Sequence, residues 1–300
     1  MMNNRPLSKP SESELLLGDT QCTSTQQEGE FGESSDLQTK IESLFNGQSE
    51  LNELDTLACI DEVFALLESG KIRVAVKSPG GENANGGKWI VSQWIKKAIL
   101  LAFKFRKSMK REFDSFDKLG LLEFDYEDPT YRKVPNAVIR EGTYIGKNAV
   151  IMQSYINTGA YIGDGTMVDI NAAIGSCAQI GSRCHIAAQA CIGGVLEPVA
   201  ANPVIIEDNC FIGVHSSVLE GVLVEEDAII APGVNLTAST KIIDRQTGEV
   251  FRGVVPSGAV VVPGSYPSNG LNIACGVIVK TVDSQTKSKT GINEILRDAD

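Results

Sequence analysis

Residues 161–181 read YIGDGTMVDINAAIGSCAQIG and contain one carboxylate in an unusual place. Glycine follows Ile162, Ile174 and Ile180, but Asp169 follows Val168. A carboxylate that hydrogen-bonds an amine can orient it and take its proton. Asp also tolerates tight corners, so Asp169 reads equally as a turn residue. Cys177, Cys184 and Cys191 recur every seventh position and invite a metal reading. Of the two histidines, His185 and His215, His185 sits five residues after Ile180. It reads either as a general base or as a surface imidazole without a catalytic role.

The elements that must position these residues count in sixes. Ile156, Ile162, Val168, Ile174, Ile180, Ile186 and Ile192 form one register. A second runs through Ile206, Ile212, Val218, Val224, Ile230, Leu236 and Ile242. The fourth residue after each is small in the first run (Ala160, Thr166, Ala172, Ala178, Cys184, Ala190) and mostly so in the second. A helix of 3.6 residues per turn would scatter these positions, and the recurrent Gly, Asn and Asp argue against a flat strand. A hexapeptide repeat wound into a parallel β-helix explains both features. Three hexapeptides make one coil, so the chain predicts about five coils. Ile139, Ile145 and Ile151 extend the pattern upstream, one residue out of phase; Val255 and Val261 extend it downstream. On a six-residue period, seven-residue spacing moves each cysteine one place round the coil. The three thiols then diverge and read as free thiols rather than metal ligands.

Two segments interrupt the repeat. GGVLEPVAANPV (193–204) separates the registers by fourteen residues, where twelve would keep phase. DRQTGEVFRG (244–253) carries the turn signal Thr247-Gly248. Both read as loops thrown out of a rigid scaffold, where function concentrates.

Upstream, residues 37–70 show helical spacing, with Leu37, Ile41, Leu44 and Phe45 on one face and Ile60, Val63, Phe64 and Leu67 on another. KIRVAVK (71–77) alternates as a strand. Residues 89–107 read as a strand end and a helix, with Trp94, Ala98 and Leu101 on its apolar side and Lys96, Lys97 and Lys104 elsewhere. Residues 1–36 are polar and read as a disordered extension. The net charge is −11, and residues 1–70 alone hold 3 basic and 14 acidic side chains, so the remainder is neutral. No basic stripe for nucleic acid and no long apolar run for a membrane is visible. The free thiols and the missing apolar leader predict a cytoplasmic protein. The expected fold is mainly β: a left-handed parallel β-helix over 131–265 behind an α-rich domain at 37–130, with a C-terminal segment at 266–300. The handedness comes from resemblance to the hexapeptide acyltransferases, not from the period. The γ-class carbonic anhydrases share that fold but need three histidine ligands, and two are present.

Longer motifs narrow the resemblance. GTMVDINAAIGSCAQIG, IGGVLEPVAANPVIIEDNCFIG, DRQTGE, VIVKTVDSQTKSKTGINEILR and QWIKKAILLAF closely resemble the tetrahydrodipicolinate N-succinyltransferases of diaminopimelate and lysine synthesis. The resemblance covers roughly residues 37–298. It implies a homotrimer with no permanent cofactor, using succinyl-CoA as co-substrate and acylating the amine of a ring-opened cyclic imine dicarboxylate. Asp169 matches the family's catalytic, substrate-binding aspartate. Arg132 matches its substrate arginine, a fork suited to a carboxylate. Glu197, in the first loop, either faces the groove or caps a turn. Lys280, Lys287 and Lys289 are candidate contacts for CoA phosphates or members of a solvated charged tail.

The chain also departs from the family pattern. GVHSSVLEG stands for GARSEVVEG, which puts Ser217 at the place of a glutamate implicated in catalysis and His215 at an arginine. MVDINA stands for MVDTWA, with Ile170 and Asn171 at the changed places. These departures leave a related acceptor, as in tabtoxin-type paralogues of secondary metabolism, or a catalytically weakened scaffold, as alternative readings.

Overall fold

The computed structural model describes residues 30–78 and 88–283. Most of the expected extension and the tail carrying Lys287 and Lys289 lie outside the described residues. Among the described residues three α-helices precede the repeats: α1 (Glu30–Phe45), α2 (Glu53–Glu68) and α3 (Gln93–Phe105). Asn52 caps α2 by accepting the Asp55 N–H at 2.9 Å, and Gly70 follows its end in the left-handed region, φ 71°. Val63, Phe64, Ile95 and Ile99 form the helical core, and Cys177 reaches it from the repeats. The expected polarity of α3 fails at one residue. Lys96 is fully buried, because its stem lies on the packed face and its ammonium reaches the loop at 193–204.

The repeats form a three-faced parallel β-helix of two-residue rungs. Face I carries Tyr144–Ile145, Tyr161–Ile162, Gln179–Ile180, Ile205–Ile206, Leu223–Val224 and Val254–Val255. Face II carries Arg132–Lys133, Val150–Ile151, Met167–Val168, His185–Ile186, Phe211–Ile212 and Ile229–Ile230, then a C-terminal hairpin, Ala259–Ser268 with Leu271–Thr281. Face III runs from Val138–Ile139 through Ala173–Ile174 to Asn235–Leu236. Faces I and III each hold six rungs rather than about five, because the upstream and downstream extensions join the stack.

All fourteen aliphatic residues of the two registers are buried in one core. Each contributes about 1.5–3 kcal/mol from burial. Rung partners lie eighteen residues apart, as in Ile162 with Ile180, which is three hexapeptides. The upstream phase slip is real: Val150 pairs with Met167, seventeen residues on. The first interruption is larger than a two-residue slip. Ile180 pairs with Ile206, so 193–204 adds eight residues to a single step. The second is a tight hairpin pairing Ile242 with Phe251 around Gly248.

The corners explain the glycines differently from simple turn preference. The left-handed backbone falls three residues after most of the inward aliphatics, as at Asn171 (φ 57°), Cys177 (65°), Gln189 (60°) and His215 (58°). The glycine directly after the aliphatic instead answers to close approach. A Cβ on Gly163 would meet Gly181 C at 2.5 Å, and one on Gly175 would meet Gly194 N at 2.0 Å. At the corner between faces II and III the coil partner of Asp169 is Ala187, and a side chain fits there.

Candidate active site

Asp169 ends a face II rung, and the rung geometry determines its surroundings. Its backbone N–H donates to Ile186 O at 2.9 Å, locking the residue to the next coil. Its Oδ1 accepts the Ile170 N–H at 2.7 Å. Its Oδ2 lies 3.6 Å from His185 Nε2, and both side chains are partly exposed. The contact follows from coil length. With eighteen residues per coil, a residue sixteen positions on sits diagonally opposite on the same outward face. The His185 ring is itself set edge-on against Phe211, with centroids 5.2 Å apart. The corner thus presents a carboxylate oriented by a backbone amide on one oxygen and facing an imidazole across 3.6 Å on the other.

Arg132 occupies the same face. Its rung pairs with Val150, which pairs with Met167, so Arg132 and Asp169 are two rungs apart, about 10 Å along the axis. Arg132 is partly buried, and its buried Nε donates to no described group. Burial raises the phenol of its neighbour Tyr131 to about 12 and lowers the amine of Lys133. The buried, unpartnered Nε of Arg132 is a donor of the kind a substrate carboxylate engages.

Glu197 is placed elsewhere. It lines a cavity of about 630 Å³ at the corner between faces III and I, with Leu219, Glu220, Asn202 and Arg252. Within one chain a whole face separates it from Asp169. Lys280 pairs with Val260 on the C-terminal hairpin, and its ammonium meets Asp283 Oδ2 at 2.8 Å. The three spaced cysteines diverge: Cys177 enters the helical core, Cys184 the prism core, and Cys191 faces outward on face III.

Comparison with known proteins follows the same division of the chain. Residues 36–105 match the model described as Tetrahydrodipicolinate N-succinyltransferase N-terminal. Residues 159–194 match Bacterial transferase hexapeptide (six repeats), and 203–238 match Hexapeptide repeat of succinyl-transferase. The 2,3,4,5-tetrahydropyridine-2,6-dicarboxylate N-succinyltransferase of Nitrobacter hamburgensis is 46% identical over 287 residues, 86% of this chain and 98% of its own. The chain belongs to the tetrahydrodipicolinate N-succinyltransferase family. Its relatives by the same name include one from Polynucleobacter asymbioticus at 49% identity over 81% of this chain and 90% of its own. Another, from a Wolbachia of Brugia malayi, is 47% identical over 87% and 98%.

Within this family the departures noted in the sequence now have positions. Asn171 and His215 both occupy left-handed corners, which Asn and His enter more readily than most side chains. Ile170 is exposed beside Asp169. Ser217 lies on face III, flanked by Cys191 and Asn235, two rungs from Ala173. Glu220 does not share the face of Ser217. It lies beside the cavity at the other corner, and its Oε2 accepts the Ala238 N–H at 3.2 Å. The Asp169–His185 contact was the feature that sequence reasoning missed, and the eighteen-residue coil was the signal for it.

Proposed function

We propose that this chain transfers the succinyl group of succinyl-CoA to the amine of ring-opened tetrahydrodipicolinate, a step of diaminopimelate and lysine synthesis. The observation that carries the reading is the corner at Asp169, a partly exposed carboxylate held by a backbone amide, facing His185 and sharing a face with Arg132. The near full-length relatives bearing that activity's name support it. In this reading Arg132 grips a substrate carboxylate. Asp169 hydrogen-bonds the acceptor ammonium and takes its proton, freeing the nitrogen lone pair. The amine then attacks the thioester carbonyl. The tetrahedral intermediate collapses to an amide, and CoA leaves as a thiolate that is reprotonated. Glu197 approaches a second substrate portion from the loop. Lys280 and Lys289 are proposed contacts for CoA phosphates, the former by exchanging its Asp283 partner.

A homotrimer completes this picture. One chain keeps Asp169 and Glu197 at different corners, and a groove between neighbouring prisms would bring corners of two copies together. We place this small-molecule biosynthetic chemistry in the cytoplasm. The test is CoA-thiol release on mixing the purified protein with succinyl-CoA and tetrahydrodipicolinate. Acceptor-dependent release supports the reading. Release with a related amino acid alone moves the assignment to a paralogous acceptor, the alternative that Ser217 motivates. No release with either leaves a binding scaffold.

A further inference from the structure

Lys96 is the largest fully buried charged side chain among the described residues, and the chemistry above does not use it. It lies on the packed face of α3 between Trp94 and Ala98. Its ammonium donates to Ala201 O at 2.8 Å and to Pro198 O at 3.2 Å. Both acceptors belong to the loop at 193–204. Its other polar neighbour is the Cys177 thiol, which burial pushes up to about 12 and so keeps neutral. Burial also lowers the lysine's own pKa. Desolvating an ammonium is costly, and an apolar residue of the same length would pack there without that cost. What the ammonium supplies in return is a pair of hydrogen bonds to backbone carbonyls. An apolar side chain would leave Ala201 O unsatisfied, whereas Pro198 O also accepts the Ala201 N–H at 3.0 Å.

The loop is otherwise held at its ends. Val195 N–H donates to Ser176 O at 3.0 Å, and the returning strand crosses Gly221 so closely that a Cβ there would meet Asn202 O at 2.6 Å. Leu196 packs on the helical core. Between these anchors run Glu197 to Ala201, and Glu197 and Asn202 line the cavity. We infer that Lys96 is a positioning residue: a buried ammonium in α3 that holds the backbone of the 193–204 loop, and through it Glu197 and Asn202, against the cavity. It touches no substrate, and the helical segment thereby takes part in shaping a site built on the repeats.

The kinetic part of this inference rests on the succinyltransferase reading, but its structural part does not. The experiment therefore has two readouts. Lys96→Met keeps the length of the stem and removes the donors. Amide hydrogen exchange at Ala201 is expected to accelerate roughly tenfold to hundredfold relative to Ile99 in α3, the scale of two lost buried hydrogen bonds. In parallel, the KM of one substrate rises about tenfold or more while kcat changes less, as expected when a binding wall is displaced and the reacting groups are not. Lys96→Gln, whose amide keeps two N–H donors, recovers part of both losses. A folded Lys96→Met protein with wild-type exchange at Ala201 overturns the inference whatever its kinetics. Faster exchange with unchanged KM and kcat overturns the positioning role. Should the wild-type protein release no CoA, the function reading fails while the exchange experiment still decides the clamp. If Lys96→Met does not fold, wild-type exchange decides: Ala201 as protected as Ile99 supports the clamp, and Ala201 exchanging a thousandfold faster refutes it.

Discussion

Replacing Asp169 by Asn separates its two readings more sharply than any other change, because the structure keeps the structural contacts and removes only the chemistry. The Asn side-chain oxygen can still accept the Ile170 N–H that Oδ1 accepts at 2.7 Å, and the backbone bond to Ile186 O is untouched. What is lost is the negative charge facing His185 at 3.6 Å, with both groups partly exposed. Such a pair is worth at most about 1 kcal/mol after solvent screening. A 300-residue fold loses about 2–4 °C or less in Tm for that cost. Catalysis loses more. An amide cannot take the proton of the acceptor ammonium, and positioned acid–base groups contribute about 10²–10⁴-fold, or roughly 3–5 kcal/mol of barrier. The assay is steady-state CoA release with succinyl-CoA and tetrahydrodipicolinate, beside thermal unfolding and the oligomeric state of the same sample. A kcat fall of at least about a hundredfold with an intact fold is expected. Activity within threefold of wild type would return Asp169 to being a corner residue and remove the basis of the proposed mechanism.

Three further outcomes follow from the geometry. Arg132→Lys keeps the charge but loses the fork, and should raise the acceptor KM by about ten- to a hundredfold, with little effect on the KM for succinyl-CoA. Gly175→Ala places a Cβ 2.0 Å from Gly194 N, where only backbone can yield. It should destabilise by several kcal/mol or displace the 193–204 loop, read by urea unfolding and by the KM values. Because burial raises the Cys177 thiol to about 12, above the ordinary thiol range, its contribution is fully present below about pH 9 and is lost as pH rises toward 12. The stability difference between wild type and Cys177→Ala, followed by urea unfolding, should therefore be flat to about pH 9. Above that it should shrink by about 1.4 kcal/mol per pH unit; a difference that holds constant to pH 11 would refute the assignment.

Much of the fold was legible because a hexapeptide coil repeats its demands. Every inward place needs an aliphatic side chain, so Ile162, Val168 and Ile174 announce the prism without any long-range information. The site was half legible. Asp169 and Arg132 stand out by residue type and by resemblance. A coil length of eighteen alone would align Arg132 with the inward Val168, and the seventeen-residue step from Val150 to Met167 is what sets it level with Met167 instead. Glu197 was not placeable, because an inserted loop leaves the period and its path depends on what it packs against. Lys96 was misread for a related reason. A lysine between helix positions reads as solvent-facing unless a distant segment supplies acceptors, and here Pro198 and Ala201 do so across about a hundred residues of sequence.

The sequence by itself thus determined the repeat, the inward core and the identity of the carboxylate at the corner, since these depend on a local six-residue rule. Only the tertiary structure decided which outward residues meet. The pairing of Asp169 with His185, the separation of Glu197 from both, and the burial of Lys96 depend on coil stacking and on a loop docked against a helix. Those contacts join residues far apart in the chain, and no local preference encodes them.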